Sequence, residues 1–135
     1  MEALTLAVGA FMAGVIWFVQ IVHYPLMADV GRGAWVAYEE RHRRLTTFVV
    51  AGPMLAEPVL AGVVLARGEH IWIGCGLLVA AVVPLLVTAL VSVAEHERLS
   101  AGFDAASHRR LVRTNWLRTA GWTAYAVLAA VLVSL

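Results

Sequence analysis

The sequence predicts an all-α fold, a four-transmembrane-helix up-down bundle, and three observations lead there. Hydrophobic residues make up 61% of the 135 residues and charged residues only 14%, against about 25% charged residues in soluble domains. The mean hydropathy is +0.82, more apolar side chain than the polar surface of a soluble chain of this size could cover. The apolar residues also fall into four runs, each close to the roughly 20 residues needed to cross the hydrocarbon core of a bilayer. A length of 135 residues fits one domain, residues 1–135.

The first run covers residues 3 to 25, "ALTLAVGAFMAGVIWFVQIVHYP". It reads as a span and not as a cleaved signal peptide, because Glu2 is acidic, the run is long and no small-residue cleavage site follows. Pro25 is expected to end this helix or kink it near its end. A connector with Gly31, Arg32 and Gly33 precedes a second helix expected from Ala34 to Ala66, charged in its first turns ("YEERHRR") and apolar from Leu45. Pro53 and Pro58 lie inside it and predict a kink or a loosened turn. After the turn "RGEH", a third span is expected from Ile71 to Ala94, with Pro84 inside. "EHERLSAGFDAASHRR" is the only long polar stretch. The fourth helix is expected to start near Asp104 or Ala105, with Asp104 as its N-cap, and to run to the end of the chain.

Because the spans alternate in direction, polar residues can be sorted by membrane side. The chain has no lysine, and its ten basic residues are all arginine. Arg32, Arg41, Arg43, Arg44, Arg98, Arg109, Arg110 and Arg113 fall in the two connectors 25–44 and 95–113, on one side. The side holding both termini has Arg67 alone. Short arginine-rich connectors stay in the cytoplasm. The expectation is therefore a multi-pass protein of the cell (inner) membrane, with both termini outside and the polar connectors cytoplasmic. The lone Cys75 cannot form an intramolecular disulfide and says nothing about redox compartment.

Four of the five histidines sort to the arginine-rich side, one per helix: His23, His42, His96 and His108. Their offsets from the ends of the apolar cores amount to about 2 to 6 Å at a rise of 1.5 Å per residue. Glu39 stands three residues before His42, and Glu95 adjoins His96. Imidazoles and carboxylates projecting inward from several helices are how metal and haem sites are built in bundles. Two readings stay open. One is a metal ion or haem held by His23, His42, His96, His108 and Glu39; the other is a structural or proton-handling polar cluster. A Cys/His zinc signature is absent.

A second polar layer lies deeper, with Gln20, Thr88, Asn115 and Arg118, and Glu57 is deeper still. Asn115, Arg118, Thr119 and Trp122 share one face of the fourth helix. A carboxylate and a guanidinium at such depth are expected to face the bundle interior. Glu57 is expected either to pair with Arg118 or to stand protonated, bonded to Trp122 or Thr123. Gln20 and His23 are expected to look inward toward His42, His96 and the Asn115/Arg118 face. Gln20, Tyr24 and Trp122 are then candidate cofactor- or ligand-binding residues, and Arg118, Asn115 and Glu57 candidate catalytic ones.

At "HYPLM", "EHERL" and "NWLRTAGW" the chain resembles the anthrone-oxygenase-like group of small four-helix membrane proteins, and it does so in architecture over most of its length. The resemblance implies a four-helix membrane fold and an oxygenase activity.

Two functions of different class follow. The first is a membrane oxidoreductase or oxygenase taking a hydrophobic, aromatic or quinone-like substrate from the cytoplasmic leaflet. There His23, His42 and His96 would serve as ligands or as acid and base, and Arg118 and Asn115 would polarise a substrate oxygen. The second is a non-catalytic accessory subunit, a homo-oligomer or part of a larger membrane complex. It would pack through lipid-facing small residues such as Gly9, Ala13, Gly62, Gly74 and Gly76. The expected partners are membrane lipid and a hydrophobic small molecule. Nucleic acid is not among them, since topology and anionic lipid account for the arginines.

Overall fold

The computed structural model describes all 135 residues. They form four antiparallel helices joined by short connectors, each long and apolar enough to cross a membrane. We label them α1 (Glu2–Met27), α2 (Trp35–Arg67), α3 (Ile71–Leu99) and α4 (Ala105–Val133). Each helix packs against two others, in the cyclic order α1, α2, α3, α4. The expected bundle is what forms.

Two helices carry a π-turn where a regular α-helix was expected, Val19–His23 in α1 and Thr88–Ser92 in α3. In α1 the cause lies just downstream. Pro25 has no N–H, and in a regular helix its ring would collide with the carbonyl of Ile21, four residues back. The widened turn contains Ile21, and helix geometry then resumes and persists two residues beyond the proline, to Met27. In α3 the hydroxyl of Thr88 donates to the Pro84 carbonyl at 2.8 Å, the kind of back-bond that bends helices. By contrast, α2 runs as one uninterrupted α-helix through Pro53 and Pro58. Gly68, with φ of +76°, closes it in the left-handed conformation.

One helix boundary differs from expectation. The third helix does not stop at Ala94 but continues through "EHERL" to Leu99. That extra turn is held by the Arg98–Glu95 pair at 2.7 Å and by the complete burial of Leu99 beside Trp35. The Trp35 indole N–H also donates to the Leu99 carbonyl at 2.7 Å, beside the Gly102 amide at 3.2 Å, and so ties the helix end to α2. His108 does the same for α1, with Nε2 at 2.8 Å from the Tyr24 carbonyl. Asp104 is the N-cap of α4, accepting from the amides of Ala106 and Ser107 at 3.1 and 3.0 Å.

Three small cores hold the bundle. Away from the arginine-rich end, Leu77, Ala80, Ala81, Tyr125 and Ala129 pack with Ala61 and Val64. Met12, Ile16, Val50 and Trp122 form the middle. Tyr24, Met27, Trp35, Leu99 and Leu111 close the arginine-rich end. The expected lipid-facing set of small residues is only partly lipid-facing. Gly9 is buried against Tyr125, and Gly74 against the Leu65 backbone, so both serve contact between helices of this chain.

Two predictions follow from this packing. A Cβ at Gly74 would lie 2.9 Å from the Leu65 Cα, a backbone atom that cannot step aside. Gly74→Val is therefore expected to destabilise by about 1–3 kcal/mol, whereas Gly62→Ala, which meets nothing within 4 Å, should not; unfolding of the detergent-solubilised protein measures both. The amides of Ser107 and Ala106 hold the Asp104 carboxyl below its ordinary value of 3.8. A depressed folded pKa means the cap stabilises fully above the unfolded value and is lost as pH falls through the folded one. Stability should thus drop in that acid range in the wild type, and the part due to this group should vanish in Asp104→Asn.

Candidate functional site

The arginine-rich end of the bundle interior holds a continuous set of polar side chains, and each helix contributes. From α1, the π-turn and the turn after it bring Gln20, His23 and Tyr24 to the interior. Gln20 and Tyr24 are almost fully buried. From α2 come Glu39, His42 and Thr46, at i, i+3 and i+7, one stripe of a helix. From α3 come Ser92 and His96, four apart, and from α4 Asn115 and Arg118, three apart.

His23, His42 and His96 converge as the shared depth predicted. The ring centroids are 4.7 Å apart for His23 and His42, and 5.1 Å for His42 and His96. Nε2 of His23 lies 2.9 Å from Nδ1 of His42, which also has the Thr46 hydroxyl at 3.2 Å. Glu39 does not work within its own helix. It reaches across to His96, Oε1 to Nδ1 at 2.6 Å. A carboxylate only accepts, so Nδ1 of His96 carries the proton and Nε2 is left as the acceptor, facing the Tyr24 hydroxyl at 3.3 Å. Arg118 donates toward the same hydroxyl at 3.5 Å. The donors therefore point one way along the chain Arg118, Tyr24, His96, Glu39.

Arg118 is 6% exposed and forms no ion pair. It donates to Asn115 Oδ1 at 3.0 Å and to Ser92 Oγ at 3.4 Å, while its Nε has no partner. Asn115 in turn donates to Gln20 Oε1 at 2.8 Å. Glu57 faces the interior as expected but does not touch Arg118. The Trp122 indole N–H donates to its Oε2 at 2.6 Å, and the Tyr125 hydroxyl donates to its main-chain carbonyl. The other face of the matter is Trp122 itself, whose ring lies 5.0 Å from the Arg118 guanidinium carbon. Of the two expectations for Glu57, the tryptophan bond is the one that forms, and Trp122 stands between the carboxyl and the guanidinium.

A cavity of about 230 Å³ opens among these groups, lined by Tyr24, His42, Thr46, Ser92, His96 and Arg118 with others. On the far side of α2, an apolar groove of about 450 Å³ runs between α1 and α2. Thr46 and Val50 line both.

The metal reading of the histidine layer, one of the two left open, finds no ligand arrangement here: no three His, Cys, Asp or Glu side chains are arranged to hold one ion. Several of the ring nitrogens are already engaged. His23 and His42 bond each other, His96 is held by Glu39 and Tyr24, and His108 turns its Nε2 away to the Tyr24 carbonyl. His108 is thus a helix-end donor outside the cluster. Thr46 and Ser92 are site residues that the sequence reading missed, and helical spacing could have found both. Thr46 is four residues after His42, and Ser92 four before His96.

The bond between Trp122 and Glu57 has a measurable consequence. Trp122→Phe strands a buried carboxyl oxygen and should cost about 1–3 kcal/mol of stability. Adding Glu57→Met removes the stranded group, so the double variant should unfold later than the single one in the same detergent.

No protein-family model, curated protein or solved structure matches the chain, which leaves these side chains as the ground for a functional reading.

Proposed function

We propose that the protein is an integral membrane oxidoreductase or oxygenase whose site performs acid–base chemistry on a hydrophobic molecule bearing an acidic or carbonyl oxygen, aromatic or quinone-like in class. One observation carries this reading: Arg118 is buried without a carboxylate, on the wall of a cavity that also holds the directed Tyr24–His96–Glu39 chain. A charged side chain at this depth costs several kcal/mol, about 2.5–3.5 on insertion scales. That cost is offset if the cation faces a ligand whose charge develops in the reaction.

The residues supply the following steps. The substrate oxygen sits against Arg118 and Ser92. Its proton, or that of an adjacent acidic C–H, passes to Nε2 of His96, directly or through the Tyr24 hydroxyl. Glu39 stabilises the imidazolium that results and keeps the ring in the required tautomer. The product of this step is an anion held on Arg118, the electron-rich form in which such compounds give up electrons. For an oxygenase the acceptor is dioxygen, which adds at the deprotonated carbon; the proton held on His96 goes to the hydroperoxide so formed, and loss of water from it leaves a carbonyl. In this reading the arginine-rich connectors lie in the cytoplasm and both termini outside, so the site draws on the cytoplasmic leaflet.

Absorbance tests the chemistry. A hydroxylated naphthoquinone changes colour when it ionises. Bound to the detergent-solubilised protein, it should show the anion spectrum at a pH where the free compound is neutral. Arg118→Leu should abolish that shift and weaken binding by tenfold or more while still inserting. A ligand that stays neutral when bound, or does not bind, would overturn the reading. Topology is tested separately by reporters fused after Leu135. The reporter active outside should work and the one active inside should not.

A further inference from the structure

We infer that the substrate is an amphiphile, with an oxygen-bearing head in the Arg118 cavity and a flexible apolar tail in the groove between α1 and α2. The inference rests on the acid–base reading of the cavity and adds which class of molecule fits it.

Size argues first. At about 230 Å³ the cavity is smaller than the roughly 300–1,000 Å³ of pockets that enclose a whole drug-sized ligand. It accommodates a ring-sized head and leaves the remainder to be housed elsewhere. The groove offers about 450 Å³, enough for an extended chain. Continuity argues second. Thr46 and Val50 line both spaces, and His23, at the polar end of the groove, is bonded to His42, which lines the cavity. Polarity argues third. Away from His23 and Thr46 the groove is walled by groups such as Gly14, Val15, Phe18, Leu45 and Val49. They offer nothing to a polar substituent and suit methylene or isoprenoid chain.

Gly14 lines this groove. An added Cβ there meets nothing within 4 Å, so a larger side chain has room to project without displacing a neighbour at its Cβ. Gly14 is therefore the position at which added bulk tests for a tail.

The experiment uses two probes with the same head, 2-hydroxy-1,4-naphthoquinone and its 3-decyl derivative. Each is titrated into wild-type and Gly14→Leu protein in one detergent, and binding is read from tryptophan fluorescence. Comparing the two proteins for the same probe cancels its partition into detergent. Gly14→Leu is expected to weaken the decyl compound about tenfold, the scale of a steric clash, and to leave the tail-less compound unchanged. Gly14→Ala should fall between. If both compounds bind but Gly14→Leu weakens neither, or weakens both alike, the tail assignment is overturned and the acid–base reading stands. If neither compound binds wild type, both are overturned.

Discussion

The organisation of this bundle depends on one constraint, the burial of a guanidinium that has no carboxylate to neutralise it. Isolated charge in a medium of low dielectric is expensive, and dipoles are the remaining way to meet it. Arg118 is met by the amide oxygen of Asn115, the hydroxyls of Ser92 and Tyr24, and the face of the Trp122 ring. Three of these partners are themselves fixed by another. Gln20 fixes Asn115, His96 receives Tyr24, and Glu57 anchors Trp122. The polar interior is thus ordered outward from one cation. Glu57, the carboxyl that lies deeper than Arg118, is held off from it by an indole.

A direct Glu57–Arg118 pair would have made a more ordinary membrane bundle. It would also have removed the site's electrostatic asset, because a paired guanidinium has little attraction left for a third charge. The insertion of Trp122 gives both groups an interaction while keeping the guanidinium free to face the cavity. Glu39 is spent on His96 and not on an arginine. The cavity wall therefore carries a cation and an imidazole backed by a carboxylate, the two groups that the proposed proton abstraction uses.

Much of this was legible in the sequence, for reasons that differ by element. Spans are legible because a bilayer leaves few options for backbone hydrogen bonds, so apolar length alone indicates a helix. The convergence of His23, His42 and His96 was legible because depth is linear in residue number along a helix. The partner of each group was not, since depth says nothing about rotation around the bundle. That is why Glu39 was associated with His42 and proved to serve His96, and why His108, at a plausible depth, caps α1. The π-turns were hidden because a residue inserted in an apolar run leaves the run apolar. The end of α3 was misjudged because charge was read as exposure, whereas Glu95 is buried and takes Arg98 and Arg110.

The two π-turns bear on how such a site can arise and be lost. Each amounts to one surplus residue within a span, and in an α-helix one residue is about 100° of rotation. Deleting a single codon within 19–23 or 88–92 would remove the surplus residue and preserve hydropathy and length for spanning. It would also swing everything beyond it, Tyr24 in one case and His96 in the other, a quarter-turn or more away from Arg118. For this chain a one-residue length change within a span would take the proposed site apart while leaving four spans of sufficient length. Among bundles of the same outline, the chemistry can accordingly appear or vanish without any substitution of a polar side chain.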